Sequence, residues 1–283
     1  MARGWEARLA ARRARAARPS LTAGEPAEVP AAPPTPVRVE TDVGVLLFPP
    51  HDRLMPPLIA DQHGRWEIEE SDQLRALLSP GMTFVDVGAH VGYMTLLGAR
   101  AVGPEGRVIA VEASPENVEL LRANVAANRA SNVDIVAAAA SDRSGHLTLS
   151  LSPWNSGDNR AYPVPEMERI DVPAVRLDDV MPVDVHVDVV KLDTQGTDHR
   201  AVRGMEATLA RCRPVLVVEF WPPTITESGD DPLAVLAQYA AMGFEVRVLG
   251  QPEGGPAPSP ADVVRAALTS HGEFCTLILR PAR

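Results

Sequence analysis

The sequence predicts an α/β fold with a doubly wound, mostly parallel sheet, and two features lead to this prediction. The first is a near-continuous apolar run over 82–87 followed by Gly88, which is typical of a buried parallel strand that ends in a tight turn. The second is the alternation of apolar runs with helical stretches along the rest of the chain. A chain of 283 residues with 45% hydrophobic content is long enough for one large α/β domain with appendages.

The first 36 residues are predicted to form an arm outside this fold. Residues 1–18 hold six Arg against one Glu, and residues 23–36 are rich in Pro, Ala and Glu. Chain of this composition has no apolar face with which to bury surface, so we predict that 1–36 is disordered. The alternative interpretation is a docking or dimer-contact segment.

Residues 37–80 are predicted to form an N-terminal cap, which would cover one edge of the sheet and the cofactor cleft. Apolar residues alternate over 37–47, which indicates a β-hairpin with a turn near Gly44. Two helices are expected after it, around Met55–Asp61 and over Asp72–Leu78.

The core domain is predicted over 81–283. Its strands are expected at 82–87, 107–112, 132–138, 187–192, 214–222, 244–248 and 274–279, with β-like segments at 146–152 and 168–177. Its helices are expected at 91–102, 115–128, 197–205, 231–242 and 261–268. Ser114 offers a capping side chain and Pro115 suits the first helical position, so the second of these helices has a clear start.

An insertion near 152–166 interrupts this pattern. It places Trp154 and Tyr162 among polar turn-forming residues. A long polar loop beside a cleft is typical of a substrate lid or specificity segment. An ordinary surface loop is the alternative.

Composition limits the classes of partner. The net charge is −10, and because the arm is basic the remainder of the chain carries −15. This acidic body argues against a nucleic-acid substrate, since phosphate contacts dominate such binding. Cys212 and Cys275 lie far apart without metal-ligand spacing, and no apolar run approaches the length of a membrane span. We therefore expect a cytoplasmic protein with reduced thiols, no membrane contact and no nucleic-acid partner.

The segment from Asp86 to Gly92 has the spacing D-x-G-x-x-x-G and lies at the end of a predicted strand. Twenty residues later the next strand ends in Glu112, where a carboxylate can accept hydrogen bonds from a ribose diol. The dinucleotide fingerprint G-x-G-x-x-G is absent, because His90 stands where it requires glycine. A structural glycine turn in another kind of α/β protein is the alternative.

This motif resembles motif I of the S-adenosylmethionine (SAM) methyltransferases. The resemblance implies SAM as cofactor, with Asp86 near its methionine end and Glu112 on the ribose hydroxyls. Asp142 ends the third strand, which flanks the adenine in related methyltransferases, although it could equally be a turn residue. The residues assigned to the cofactor are Asp86, Gly88, Ala89, His90, Gly92, Glu112, Ala113 and Asp142.

Four segments in order, 80–95, 177–180, 190–196 and 218–220, resemble the FkbM-type methyltransferases over about 65–250. The resemblance implies the class I fold, a mostly parallel seven-stranded sheet with an antiparallel last strand. It also implies O-methylation, since many family members methylate hydroxyls of small natural products or sugars. This chain departs from the usual pattern in two places. His90 replaces an Asn, and the segment 195–198 replaces Glu-Gly-x-Glu.

Three residues are candidates for catalysis at the carboxyl ends of the later strands. We expect Asp193 or His199 to take the proton of a substrate hydroxyl while Glu219 orients it. The alternative is that Asp193 caps the following helix and His199 lies at the surface. Asp193 and Glu219 could also hold Mg²⁺, but no further ligands are identifiable, so no metal site is predicted.

Three functions remain in competition at this level. The motifs favour a SAM-dependent O-methyltransferase with a small-molecule hydroxyl acceptor. A nicotinamide-dependent oxidoreductase shares the half-sheet, and a non-catalytic SAM-fold binding module shares the cofactor residues. The acceptor is not named by any residue, and assembly as a homo-oligomer is left open.

Overall fold

The computed structural model describes residues 35–251, 255–270 and 272–282, and all structural statements below refer to them. The predicted disorder of the arm, and its alternative as a docking segment, concern residues that lie outside the described ranges except for 35 and 36.

The strands of the described chain are β1 Val37–Thr41, β2 Gly44–Phe48, β3 Thr83–Val87, β4 Arg107–Glu112, β5 Val133–Ala137, β6 Ala139–Ala140, β7 Gly145–Leu151, β8 Glu168–Val175, β9 Val189–Leu192, β10 Val215–Phe220, β11 Phe244–Val248 and β12 Cys275–Pro281. The helices are α1 Met55–Asp61, α2 Ile68–Leu77, α3 Tyr93–Val102, α4 Pro115–Ala127, α5 Leu177–Val180, α6 Asp198–Arg203, α7 Glu206–Cys212, α8 Pro222–Glu227, α9 Pro232–Ala241 and α10 Pro260–Thr269.

Seven strands form one sheet in the order β5-β4-β3-β9-β10-β12-β11. β3, β4, β5, β9 and β10 run parallel, and β12 is antiparallel to both of its neighbours, β10 and β11. The predicted fold class, a mostly parallel seven-stranded sheet with an antiparallel last strand, is therefore confirmed. The order reverses between β3 and β9, where open α/β sheets form their ligand crevice.

Helices cover both faces of this sheet because its central strands are buried on both sides. One face packs against β1, β2 and α1–α4, and the other against α5–α10. The contact between α3 and the sheet is close at Gly98, where a Cβ would lie 2.3 Å from the ring of Phe84. A small second sheet, β6-β8-β7, carries the predicted insertion between β7 and β8.

The N-terminal hairpin is confirmed, and two asparagines of α4 join it to the core. Asn124 accepts from the Leu47 N–H at 2.8 Å and donates to the Leu47 carbonyl at 3.0 Å. Asn128 makes the same pair of bonds to Val45, at 3.0 and 2.7 Å. The backbone N–H and carbonyl groups of Val45 and Leu47 at the hairpin edge are thus hydrogen-bonded to side chains. The domain boundary at residue 80 stays a prediction.

Three details differ from the expectations. α2 begins four residues before the predicted 72–78, because Glu70 and Ser71 take buried positions that an apolar pattern does not mark. The short helices α5, α7 and α8 were not predicted at all. Ser114 precedes α4 as expected, but its side chain makes no capping hydrogen bond.

Candidate active site

A cavity of about 60 Å³ lies at the carboxyl ends of β3, β4 and β9. Its walls come from the turns after these strands, from the segment 138–140, and from the loop between β7 and β8. Five of the residues predicted from sequence line it: Gly88, His90, Glu112, Ala113 and Asp193. Asp86, Ala89, Gly92, Asp142, His199 and Glu219 do not line it.

The glycine turn after β3 is held by close backbone packing. Gly88 has φ 81°, and a Cβ there would lie 2.0 Å from the carbonyl oxygen of Asp193. Gly92 has φ 101° and precedes α3, where a Cβ would lie 2.6 Å from Leu121. Only glycine satisfies both the positive φ and the lack of space. The turns after β3 and β9 are therefore brought together at the cavity floor.

Glu112 ends β4 with its carboxylate on the cavity wall. Oε2 accepts from the N–H of His90 at 2.8 Å, and Oε1 accepts from the N–H of Ser114 at 2.8 Å. The amide of Asn117 approaches Oε1 at 3.4 Å. Burial raises the pKa of Glu112, while these hydrogen bonds lower it. The carboxylate is thus fixed in direction by the backbone of both adjacent turns.

His90 stands beside Glu112 with a left-handed backbone, φ 53°. Its Nε2 lies 2.6 Å from the hydroxyl of Ser156, and its ring packs at 5.9 Å from that of Phe48. Burial lowers the pKa of His90 to about 4. The imidazole is therefore neutral at neutral pH.

Asp193 faces the cavity from the end of β9. Its Oδ2 accepts from Nζ of Lys191 at 3.2 Å, and its Oδ1 accepts from the amide of Gln195 at 2.5 Å. Burial acts to lower the pKa of Lys191, but the carboxylates of Asp193 and Glu70 outweigh it and raise that pKa above its ordinary value. The buried ammonium group of Lys191 thus forms an ion pair with Asp193.

Two predicted carboxylates lie beneath the cavity. Asp86 is fully buried and accepts from the hydroxyl of Thr95 at 2.6 Å, and burial raises its pKa. Glu219 is the penultimate residue of β10 and is buried opposite Thr276 of β12, whose hydroxyl donates to Glu70 at 2.9 Å. Asp86 belongs to the polar centre of the sheet around Lys191, because its charge acts on that ammonium group.

His199 and Asp142 lie away from the cavity. Nε2 of His199 is 2.9 Å from Oδ2 of Asp230, the side chain is buried, and burial lowers its pKa. Burial acts to raise the pKa of Asp142, but Arg203, 3.2 Å from its carboxylate, holds that pKa below its ordinary value. The backbone shortly before Asp142, at 138–140, does line the cavity.

The insertion crosses the cavity and supplies four lining residues, Ser156, Gly157, Asn159 and Ala161. Sequence reasoning placed the loop near the cleft but missed its attachments to Asp52 and Asn117. The Asn117 amide donates to the Ser156 carbonyl at 3.0 Å, and the Ser156 hydroxyl lies 2.5 Å from Asp52. Partners 39 and 104 residues apart leave no local signal in a single sequence.

Two further observations bear on ligand classes. Within the described ranges, no group of three or more His, Cys, Asp or Glu side chains is arranged to hold a metal ion. In the same part of the chain, none of the helices combines the length and apolar character that crossing a membrane requires.

Among curated proteins, the arsenite methyltransferase of Halobacterium salinarum is 44% identical over 59 residues, which are 21% of this chain and 15% of that protein. The protein-L-isoaspartate O-methyltransferase of Triticum aestivum is 40% identical over 90 residues, 32% of this chain and 36% of that protein. The similar segments therefore span well under half of these relatives.

Among solved structures, the methyltransferase FkbM of Methylobacillus flagellatus KT has a TM-score of 0.46 and 14% identity, covering 74% of this chain and 50% of that one. Fibrillarin of Aeropyrum pernix, in complex with S-adenosyl-L-methionine, has a TM-score of 0.45 and 15% identity, covering 75% of this chain and 73% of that one.

The family comparison extends over more of the chain. The sequence model of the methyltransferase FkbM domain matches residues 86–246, which include the glycine turn, Glu112, the insertion and Asp193. The match covers more than half of the 283 residues. The resemblance seen in the sequence motifs is thereby confirmed, and the chain belongs to the family of FkbM-domain methyltransferases.

Proposed function

We propose that this protein transfers the methyl group of S-adenosyl-L-methionine to a hydroxyl of a small molecule. The observation that carries the proposal is the cavity at the reversal point of the sheet, where Gly88, Glu112 and Asp193 meet. Membership in the FkbM-domain family supports the same activity.

The chemistry of the cavity wall fits the cofactor. Glu112 is a carboxylate acceptor for ribose hydroxyls, and Ala113, Leu149 and the segment 138–140 offer an apolar surface for an adenine ring. Gly88 presents no side chain to the ligand. The cavity of about 60 Å³ is smaller than the roughly 300 Å³ or more of ordinary ligand pockets, and we propose that the loop over it moves to admit a nucleoside.

The bound cofactor would supply an electrophilic methyl group on its sulfonium sulfur, and the protein would position the attacking oxygen. Asp193 is the group that we propose to accept the proton of that hydroxyl. Lys191 and Gln195 hold its two carboxylate oxygens and fix their direction. Binding and orientation by such fixed groups account for much of the rate of a two-substrate transfer.

A small, neutral or cationic acceptor agrees with the acidic body of the protein and with the loop that encloses the cavity. A sugar hydroxyl or a natural product is the class we propose. We also propose a cytoplasmic location, on the basis of two buried cysteines that are not joined in a disulfide.

The test is a calorimetric titration of the protein with S-adenosylhomocysteine. We expect micromolar binding that weakens at least about tenfold in Glu112→Ala, because the ribose would lose its charged acceptor. Glu105→Ala, an exposed carboxylate in a turn, is the matched control and should bind as the wild type does.

Two outcomes would contradict the proposal. Binding of NADH in place of S-adenosylhomocysteine would favour an oxidoreductase. Tight cofactor binding with no methyl transfer to any of a panel of sugar and phenol hydroxyls would favour a non-catalytic binding module.

A further inference from the structure

A continuous series of short hydrogen bonds joins three residues that are distant in sequence. Asp52 precedes α1, Ser156 lies in the insertion, and His90 follows the glycine turn of β3. The Ser156 hydroxyl is 2.5 Å from Oδ2 of Asp52 and 2.6 Å from Nε2 of His90. Asp52 is 4% exposed and Ser156 is 2% exposed, so water does not compete for these bonds.

The direction of each hydrogen bond follows from what Asp52 accepts. Its Oδ1 receives the N–H groups of Leu54 at 3.0 Å and Met55 at 2.9 Å, and its Oδ2 receives the N–H of Ser156 at 3.2 Å. An ionised carboxylate only accepts hydrogen bonds, so the Ser156 hydroxyl donates to Oδ2. That hydroxyl has one hydrogen, and its oxygen must therefore accept from Nε2 of His90.

The tautomer of His90 is thereby determined. Since burial lowers its pKa to about 4, the neutral ring carries a single proton, and that proton is on Nε2. Nδ1 is left with a lone pair, and no group among the described residues donates a hydrogen bond to it. The loop presents Gly157 to this edge of the ring, where a Cβ would lie 4.0 Å from Nδ1.

We propose that Asp52 and Ser156 are positioning residues that fix His90 as the Nε2-protonated imidazole, so that its Nδ1 accepts a hydrogen bond from a ribose hydroxyl of the bound cofactor. This inference rests on the proposed function, because it takes the ligand to be a nucleoside. Glu112 lies on the same wall and accepts from the His90 N–H at 2.8 Å, so the two acceptors face one ligand region.

The same bonds hold the insertion closed. Ser156 is tied to the cavity wall through its hydroxyl, its N–H and its carbonyl, which reach Asp52, His90 and Asn117. Closure of the loop and orientation of the imidazole are therefore one event. When the loop opens to admit a ligand, His90 loses the group that fixes its tautomer.

Asp52→Asn tests this arrangement with little change in shape. The side-chain oxygen of the new amide must remain on the Leu54 and Met55 N–H groups, which turns its NH₂ toward Ser156. The NH₂ then donates to the Ser156 hydroxyl oxygen and no longer accepts from the Ser156 N–H, and the Ser156 hydroxyl donates to Nε2 of His90. The proton of the imidazole is thereby moved to Nδ1.

The measurement is ¹⁵N NMR of the histidine ring nitrogens in the free protein, with His90→Asn to assign the signals. We expect Nε2–H in the wild type, Nδ1–H in Asp52→Asn, and the wild-type pattern in Asp61→Asn, an exposed carboxylate-to-amide change on α1. An Nδ1–H wild type, or an Asp52→Asn protein with an unchanged tautomer, would overturn the proposal.

Ser156→Ala provides a second route should Asp52→Asn fail to fold. We expect it to give a mixture of tautomers at His90 and at least tenfold faster amide hydrogen exchange at Asp158 and Arg160, whose N–H groups are bonded in the closed loop. A pure Nε2–H tautomer with unchanged exchange in Ser156→Ala would also overturn the proposal.

Titration with S-adenosylhomocysteine separates the two parts of the inference. Asp52→Asn should bind it several-fold more weakly than Asp61→Asn, because Nδ1 would no longer accept. Equal affinity despite a changed tautomer would overturn the role of Nδ1. Absence of binding in the wild type would defeat the proposed function and the ligand role together, while the tautomer of the free protein would still decide the role of Asp52 and Ser156.

Discussion

Asp193 and His199 differ in what their side chains can reach. Asp193 lines the cavity and is held by Lys191 and Gln195, whereas His199 is buried against Asp230. Asp193 and His199 were both predicted from the sequence as candidate general bases, and the geometry therefore favours Asp193 for this role.

We expect Asp193→Asn to lower kcat by about 100-fold or more, the usual contribution of a positioned base, with cofactor affinity little changed. His199→Ala should leave kcat near the wild-type value and lower the free energy of unfolding by about 1–3 kcal/mol, because it creates a cavity beside Asp230. Turnover with an identified acceptor and urea unfolding measure the two effects. The assignment fails if His199→Ala loses turnover while Asp193→Asn keeps it.

Site residues whose positions follow directly from backbone geometry were predictable from the sequence. Gly88 and Glu112 lie at strand ends, and the spacing of the motif fixes both of their positions relative to the sheet. Asp52 was not predictable, because its role depends on Ser156, which reaches it only when the insertion folds over the cavity. His199 was predicted from its place after Asp193, but the direction of α6 turns it toward Asp230.

At the scale of elements, the insertion is fastened at both ends of its path over the cavity. Ser156 holds one side, and Arg160 holds the other through Asp158 at 3.2 Å and Glu227 of α8 at 2.7 Å. The guanidinium also lies 5.3 Å from the ring centre of Trp221, within cation–π range. The sequence placed two aromatics and several polar residues here but could not indicate which of them face inward.

Arg160→Met should weaken the attachment of the insertion to the rest of the protein, because it leaves the buried carboxylate of Asp158 without its cation. We expect amide hydrogen exchange over 152–162 to become about tenfold faster. This corresponds to a decrease of about 1.4 kcal/mol in the free energy needed to open the loop. Mass-spectrometric exchange of the free protein measures it. Arg143→Met, at a guanidinium that is 87% exposed, is the control, and equal exchange in the two variants would show that Arg160 does not hold the loop.

At the scale of the whole molecule, the sheet was predictable because its central strands are apolar on both faces, which leaves a continuous signal in the sequence. β3, β4, β10 and β11 begin and end within two residues of their predicted limits. The polar centre beneath the cavity gave no such signal. Asp86, Lys191 and Glu70 become buried neighbours only when α2 packs against the assembled sheet.

Burial of these acids sets the response of the fold to pH. Burial raises the pKa of Asp86, of Glu112, of Glu70 to about 8 and of Asp198 to about 6. Between the ordinary pKa of a carboxyl and its raised value, the folded chain keeps protons that the unfolded chain has lost. The free energy of unfolding therefore falls as pH rises through this window.

Asp198→Asn isolates one part of this effect. Burial, and next the charge of Asp193, raise the pKa of Asp198 from 3.8 to about 6, a shift that corresponds to on the order of 3 kcal/mol. The amide can still accept from the Thr194 N–H, which Asp198 binds at 2.7 Å. We therefore expect the variant to gain stability relative to the wild type as pH rises from about 4 to about 6, and to keep that gain above pH 6.

Urea unfolding at several pH values measures this difference directly. Asp171→Asn removes an exposed carboxylate from β8 and should follow the wild-type curve at every pH. Above pH 6 the wild type must hold the charge of Asp198 in the buried space beside Asp193, while the variant does not. Parallel curves for wild type and Asp198→Asn would mean that Asp198 titrates as it does in the unfolded chain and has no share in the pH response of the fold.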